Sequence, residues 1–255
     1  MIEKNIFQLS KNEQPPFVLR RYVNSFKNQV GFKHEIYSDQ KMDSFIKSFY
    51  PEYLKSYQTI SIIEKTDLIR LLLVYHFGGL YSDLDTYCRV KLEVLFNEYP
   101  NAEVIVGLEA NVTESIKDTY QLVRARQICN WTFAAKKKSD FIKKVIDRVI
   151  YNIENYPDLT TMEKTGPAVL SDVVFENETY EGLTILPTYY FCAGVPYESQ
   201  DLLLNGYIIH KFWGSWKKDI PIKYRLLFII EALSPEKVML FLNNLVSKVN
   251  KIWQK

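Results

Sequence analysis

Two carboxylates separated by one residue, Asp83 and Asp85 in the stretch YHFGGLYSDLD, are the groups in this chain best placed by type and spacing to do chemistry. Side chains alternate along an extended segment, so Asp83 and Asp85 should share a face with Tyr81 while Leu80 and Leu84 face away. Carboxylates held that close repel each other unless a cation or a proton sits between them. Hard oxygen ligands in a short loop suit Mg²⁺ or Mn²⁺, ions that also grip substrate phosphates. The plain alternative is a solvated turn with two acids, because a bare D-x-D is common. A second pair lies upstream. Asp67 and Arg70 are three apart, hence on one helix face, within the otherwise apolar TDLIRLLLVYHFGG. Either they form an internal ion pair, or they reach the end of a sheet and hydrogen-bond a polar ligand such as a sugar.

These groups need elements to aim them. KNIFQL reads as a first strand and Lys33–Ser38 (KHEIYS) as a second, with helix-like sequence between and after them. The clearest helix runs from Ile60 to Phe77 and is stopped by Gly78–Gly79. LYSDLD is a strand running into a loop, and Ala102–Ala110 (AEVIVGLEA) has the continuous apolar character of a buried strand. Helical periodicity returns at Phe141, Ile142, Val145, Ile146, Val149 and Ile153. Gly182–Pro187 and Gly206–His210 read as late strands. Strands alternating with helices predict an α/β fold around a largely parallel sheet, in which ligands bind where strands end.

Composition narrows the function. The 255 residues are 47% hydrophobic with a net charge of +2, and basic and acidic residues are interleaved, so no whole-chain field points to nucleic acid. The aromatic share, 15%, suits both a mixed core and the stacking of flat or ring-shaped ligands. Cys88, Cys129 and Cys192 are scattered and lack CxxC spacing, which argues against a zinc site or a disulfide framework. The N-terminus has no apolar core of signal-peptide type and no window is long enough to span a bilayer. The expectation is therefore a cytoplasmic, non-secreted protein in which the sequons at Asn111 and Asn177 arise by chance. No linker divides the chain. His34 and His76 read as isolated surface or core histidines, and Lys136–Lys138 as a solvated face. The basic, amphipathic C-terminal stretch reads as a helical pair packed on the domain, and is a candidate for peripheral membrane contact.

At this point the residues carry a family resemblance. TDLIRLLLVYHFGGLYSDLD is similar to the core block of the DXD glycosyltransferases of family 32, which reads S/T-D-x-x-R, then L-Y, then G-G-x-Y-x-D-x-D. That family includes the fungal initiating α-1,6-mannosyltransferase and mammalian α-1,4-galactosyl- and N-acetylglucosaminyltransferases. Arg126–Ile142 resembles its middle motif, Thr165–Asp172 its T-G-P motif, and Ile208–Trp216 its closing H…S-W motif. The opening I-P-K-x-I-H-Q appears as IEKNIFQ, and Lys138–Ser139–Asp140 stands where the middle motif continues G-H-P.

The resemblance implies a GT-A fold, expected over residues 1–219, and the amphipathic sequence of 220–255 is expected to form a helical extension packed on the same domain. It also implies a UDP- or GDP-hexose donor, a glycan or lipid-linked acceptor, and Mn²⁺ or Mg²⁺ as cofactor. Carried over residue by residue, Asp83 would contact ribose and metal, Asp85 would bind the metal, and His210 would complete the metal set. Asp67 and Arg70 would hold hydroxyls of the donor sugar, Gln8 and Leu9 would read the base, and Tyr81 joins the substrate-binding set. Asn130 would lie near the anomeric centre or the acceptor, in a catalytic role. Ser215 and Trp216 would form a lid over the diphosphate whose closure Trp216 fluorescence reports, with Trp131 and Trp253 as silent controls.

The reading that follows is a retaining glycosyltransferase. The chain offers no convincing enzyme nucleophile, which favours same-face displacement with the leaving phosphate taking the acceptor's proton. A nucleotidyltransferase should carry a Gly-rich basic loop near its first strand, and FQLSKNEQPPF has no glycine. A non-catalytic sugar-binding protein on the same fold and a peripheral membrane scaffold, resting on the C-terminal stretch, compete with the enzyme reading.

Overall fold

A computed structural model describes residues 1–193, 195 and 206–212 of the chain. The first half runs β1 (Asn5–Ser10), α1 (Arg20–Lys27), β2 (Lys33–Ser38), α2 (Asp39–Phe49), α3 (Leu54–Thr59), α4 (Ile62–Phe77), β3 (Gly79–Ser82), β4 (Thr86–Cys88) and α5 (Leu92–Glu98). It continues with β5 (Val104–Asn111), α6 (Glu114–Tyr120), β6 (Arg126–Ala135), α7 (Asp140–Asn155), α8 (Thr161–Lys164), α9 (Pro167–Glu176), β7 (Leu183–Leu186), α10 (Thr188–Phe191) and β8 (Ile208–His210). The main sheet has the order β2-β1-β3-β6-β5-β7. Only β6 runs against the others, so the expected largely parallel α/β sheet is present with one reversed strand. β6 was not among the strands read from the sequence.

Alternation along the strands sorts the core onto two faces. Phe7, Leu9, Tyr81 and Phe133 point to one face, where α2, α4, α7 and α9 pack. Ile6, Leu80, Ile105 and Ala134 point to the other, covered by α1, α5 and α10. Helix α4 starts at a capping box, in which the Ser61 hydroxyl accepts from the Glu64 amide and the Glu64 carboxylate accepts from the Ser61 amide. It is apolar nearly all round, as a helix enclosed in a core must be. Its buried exceptions, Glu64, Asp67 and Arg70, each have a partner, since an unpaired buried charge is costly.

Gly78 and Gly79 turn α4 into β3 with φ of 70° and 120°, a region that side chains resist. A Cβ on Gly79 would meet the Asn5 carbonyl oxygen at 2.4 Å, so glycine is what lets β3 lie against β1. β1, β3, β5 and β7 therefore end on one edge of the sheet, and the polar residues gather there. The segment 220–255, Ser215 and Trp216 lie outside the described residues. Among the described residues no helix is long and apolar enough to cross a membrane.

Candidate active site

Asp83 and Asp85 do not sit on a strand face. They occupy a turn between β3 and β4, in which the Thr86 amide donates to the Asp83 carbonyl at 3.2 Å. The turn is fastened from three sides. The Asp83 amide donates to the Trp131 carbonyl (2.9 Å), Gln8 Nε2 donates to the Asp83 carbonyl (3.1 Å), and Ser82 Oγ bonds both Thr86 and Thr132 hydroxyls at 2.7 Å. The pair converges because the turn is held, not because an extended chain alternates.

His210 reaches this turn through a second, two-stranded sheet. β4 and β8 pair antiparallel with Thr86 opposite His210, and the Lys211 amide donates to the Asp85 carbonyl at 3.0 Å. His210 Nε2 lies 3.1 Å from Asp85 Oδ1. Its ring is stacked on Trp131 (centroids 4.5 Å, 26°) and flanked by Phe212 at 4.0 Å. Burial alone would lower the pKa of this imidazole, but the Asp85, Asp83 and Glu109 carboxylates outweigh it and raise the value above the ordinary one.

The ligand atoms of Asp83, Asp85 and His210 all lie within 4.8 Å of one another. Two ligands about 2.1 Å from an Mg²⁺ ion are at most about 4.2 Å apart, so closing by a few tenths of an ångström would suffice. His210 Nδ1 is buried with no hydrogen-bond partner among the described residues, so the ring is fixed by stacking and by Asp85 alone. Two carboxylates and an imidazole held this way fit a hard divalent ion such as Mn²⁺ or Mg²⁺.

Beside this group lies a closed one. Asp67 Oδ1 accepts from Asn130 Nδ2 (3.1 Å) and lies 3.2 Å from Arg70 Nη2, while Oδ2 accepts from the Thr165 hydroxyl (2.9 Å). Arg70 donates through Nη1 to the Asn130 carbonyl (2.7 Å) and through Nε to the Thr66 carbonyl (3.3 Å). Its guanidinium lies over the Tyr81 ring (4.8 Å) and 3.6 Å from Asp83 Oδ1, linking the two groups. Burial pushes the Asp67 carboxyl up to about 6, against the pull of Arg70 and Thr165. Burial likewise raises Asp83, which Arg70 opposes and Asp85 reinforces. The Tyr81 hydroxyl donates to Asp83 Oδ1.

The structure thus brings Asp67, Arg70, Tyr81, Asp83, Asp85, Asn130 and His210 together. Gln8, with Leu9 beside it in the chain, lies under the Asp83 turn. Gln8 is fully buried and both ends of its amide are engaged, by the Asp83 carbonyl and by His34 Nε2 at 2.9 Å. Leu9 is part of the core. Trp131 corrects an expectation: it stacks on His210 and so cannot serve as a silent fluorescence control.

Trp131, Thr165 and Phe212 are site residues that the sequence reading left unassigned. All three stood inside motif blocks, which was the only signal they gave. Asn130 and Trp131 lie in a wide bulge. Val106 pairs with Phe133 and Leu108 with Ile128, so one residue of β5, Gly107, faces four of β6, Cys129 through Thr132. Such bulges re-aim side chains next to active sites.

Residues 16–105 match the family described as glycosyltransferase sugar-binding region containing DXD motif, a span that includes Asp67, Arg70, Asp83 and Asp85. The chain is 26% identical to the initiation-specific alpha-1,6-mannosyltransferase of Schizosaccharomyces pombe, over 86% of this chain and 64% of that protein. It is 24% identical to the putative glycosyltransferase HOC1 of Saccharomyces cerevisiae, over 67% of this chain and 48% of that protein. Inositol phosphoceramide mannosyltransferase 3 of S. pombe is 27% identical over 67% of this chain and 44% of its own length. The chain therefore spans about half to two-thirds of the length of these curated relatives. Among solved structures, the glycosyltransferase GlyE of Streptococcus pneumoniae superposes with a TM-score of 0.51 at 12% identity, covering 98% of this chain and 64% of that one. That likeness shows the fold, which is the GT-A arrangement. Over residues 16–105 the chain carries the DXD-containing glycosyltransferase sugar-binding region, and over most of its length it is similar to fungal mannosyltransferases.

Proposed function

We propose that the protein transfers a hexose from a nucleoside-diphosphate sugar to a hydroxyl acceptor, with retention of anomeric configuration and dependence on a divalent ion. The observation that carries this reading is the meeting of Asp83, Asp85 and His210 beside the closed Asp67–Arg70–Asn130 group. When bound there, the ion would neutralise charge developing on the departing diphosphate. Asp83, Asp85 and His210 would hold it. The Arg70 guanidinium, fixed by the Asn130 and Thr66 carbonyls, adds a preorganised positive charge at the same edge of the sheet. Asn130 and Asp67 offer polar atoms to sugar hydroxyls at the bulge, and Trp131 keeps His210 in its orientation.

Retention by same-face displacement is the step that these commitments favour. Asp67 is engaged by Arg70, Asn130 and Thr165, and Asp83 and Asp85 form the ion site. In that step the anomeric carbon–oxygen bond breaks with its electron pair passing to the diphosphate. The acceptor oxygen bonds to the anomeric carbon on the face just vacated, and its proton goes to a leaving phosphate oxygen.

Mannose is the first donor sugar to test, because the relatives are named mannosyltransferases. One relative's name specifies inositol phosphoceramide, so lipid and glycan acceptors both enter the test. A hydrolysis screen with GDP-mannose and a set of UDP-hexoses, run with Mn²⁺ and with EDTA, should find one donor slowly cleaved only in the presence of metal. Acceptors of both classes should then accelerate its consumption. Binding of a donor without cleavage under any condition would make the protein a non-catalytic binder and sink the proposal.

A further inference from the structure

A groove of about 700 Å³ opens at the opposite edge of the sheet from Asp83, and the reaction proposed above makes no use of it. It lies where β5 and β7 begin, with the Glu103 and Val104 amides both donating to the Gly182 carbonyl at 2.8 and 3.1 Å. Glu98, Tyr99, Asn101, Glu103, Tyr180 and Glu181 are among its lining residues. The volume is typical of a small-molecule site.

Its polar groups are held in advance. Glu98 accepts from the Tyr190 hydroxyl at 2.7 Å and from the Tyr207 hydroxyl at 3.4 Å, and the Tyr99 hydroxyl donates to Tyr190 at 3.2 Å. Glu103 is paired with Lys136 and accepts from the Tyr180 hydroxyl at 3.4 Å. Tyr99 and Tyr180 remain half-buried, while Asn101 and Glu181 are exposed. Carboxylates fixed by phenols lose little freedom when they accept further hydrogen bonds.

The charge balance selects the ligand. Three glutamates line the groove against two nearby lysines, Lys136 paired with Glu103 and Lys144 over the Tyr180 ring at 5.7 Å, which leaves one negative charge in excess and disfavours nucleotides and other anions. What remains is a surface of tyrosine rings beside planar acceptors and an amide. That combination matches a pyranose, whose C–H face packs on an aromatic ring while its hydroxyls donate to carboxylates. We propose that this groove binds a neutral oligosaccharide, at a site separate from the metal-centred one. The inference rests on the groove alone and does not depend on the transfer reaction.

The test is a titration of the intact chain with α-linked mannotriose and with maltotriose, in EDTA, followed by ligand-observed NMR and calorimetry. At least one trisaccharide should bind without metal and remain bound when UDP and Mn²⁺ are added in excess. Tyr99→Ala and Tyr180→Ala should each weaken binding about tenfold, whereas Tyr99→Phe, which keeps the ring, should stay within about twofold. Slow donor hydrolysis should be the same in all of them. Should the alanine variants fold poorly, Glu181→Lys at its exposed position must weaken binding instead. Absence of binding by both sugars, displacement by UDP with Mn²⁺, or unchanged affinity in the variants would overturn the proposal. So would preferential binding of a trilysine peptide, which would make the groove a cation site.

Discussion

The Asp67–Arg70–Asn130 group and the Asp83–Asp85–His210 group lie side by side, and both are built from charges set into apolar walls. In the first, the Asp67 and Arg70 side chains are 5% and 8% exposed, and hydrogen bonds from Asn130 and Thr165 close it. In the second, Asp83 and Asp85 are 28% and 17% exposed, and His210 has a buried nitrogen without a partner among the described residues. A satisfied network of this kind rigidifies a core, whereas two acids side by side with an imidazole leave room for a cation. Arg70 belongs to both groups, so the closed one sets the position and charge of the open one.

Removing Arg70 breaks the comparison most severely. Arg70→Ala strands Asp67 in the core, a loss of about 3–5 kcal/mol, or roughly 6–20 °C in melting temperature for a chain of this size. Thermal denaturation measures it. An unmoved melting temperature with collapsed donor turnover would show that Arg70 serves the ligand and not the frame.

Asp85→Asn should do the reverse. It should abolish metal-dependent binding of a nucleoside diphosphate and lower turnover at least about a hundredfold, with a much smaller change in melting than Arg70→Ala. Calorimetry with and without EDTA decides it, and equal affinity in both would remove the metal from the account.

Trp131→Phe tests how the open group is steadied. The phenyl ring preserves part of the stack on His210 but loses the indole hydrogen bond to the Phe191 carbonyl. Turnover should fall about tenfold, with a stability loss of about 1 kcal/mol. Part of the fluorescence change on adding UDP and Mn²⁺ should disappear with Trp131. An identical change in the variant would make the indole a core residue only.

The smallest effect concerns the support beneath the turn. Desolvation, aided by Lys27, lowers the His34 pKa to about 4, and its Nε2 donates to Gln8 Oε1, which fixes the amide that holds Asp83. The unfolded chain takes up this proton near the ordinary value while the folded one resists until about 4. Stability is therefore complete above about pH 6.5 and falls as the pH drops toward 4, by about 1 kcal/mol after allowing for a half-exposed ring. Urea melts at about pH 7 and about pH 4.5 should show the loss, and His34→Asn should flatten it. An equal loss in the variant would assign the pH dependence elsewhere.

Local signals in the sequence were enough for most of the elements, though not for β6, and for picking out the D-x-D pair. The span Lys33–Ser38 is strand β2 as read, and the apolar helix before Gly78–Gly79 is α4 with its start two residues later. The D-x-D pair, the T-D-x-x-R spacing and the α/β class needed only neighbours within about one turn of chain, where periodicity and residue type carry the information. Pairings across the fold were decided by tertiary structure. His210 meets Asp85 over 125 residues because β8 happens to ladder with β4. Asp67 is drawn to Thr165 over 98 residues, and its ion pair with Arg70 is buried. Gln8, which the resemblance makes a base reader, braces the Asp83 turn, because its strand end lies under that turn. Periodicity ranks which face of an element is apolar, but it does not say which polar atom of a distant strand will complete a buried group. That choice is made when the sheet closes and every enclosed charge must find a partner.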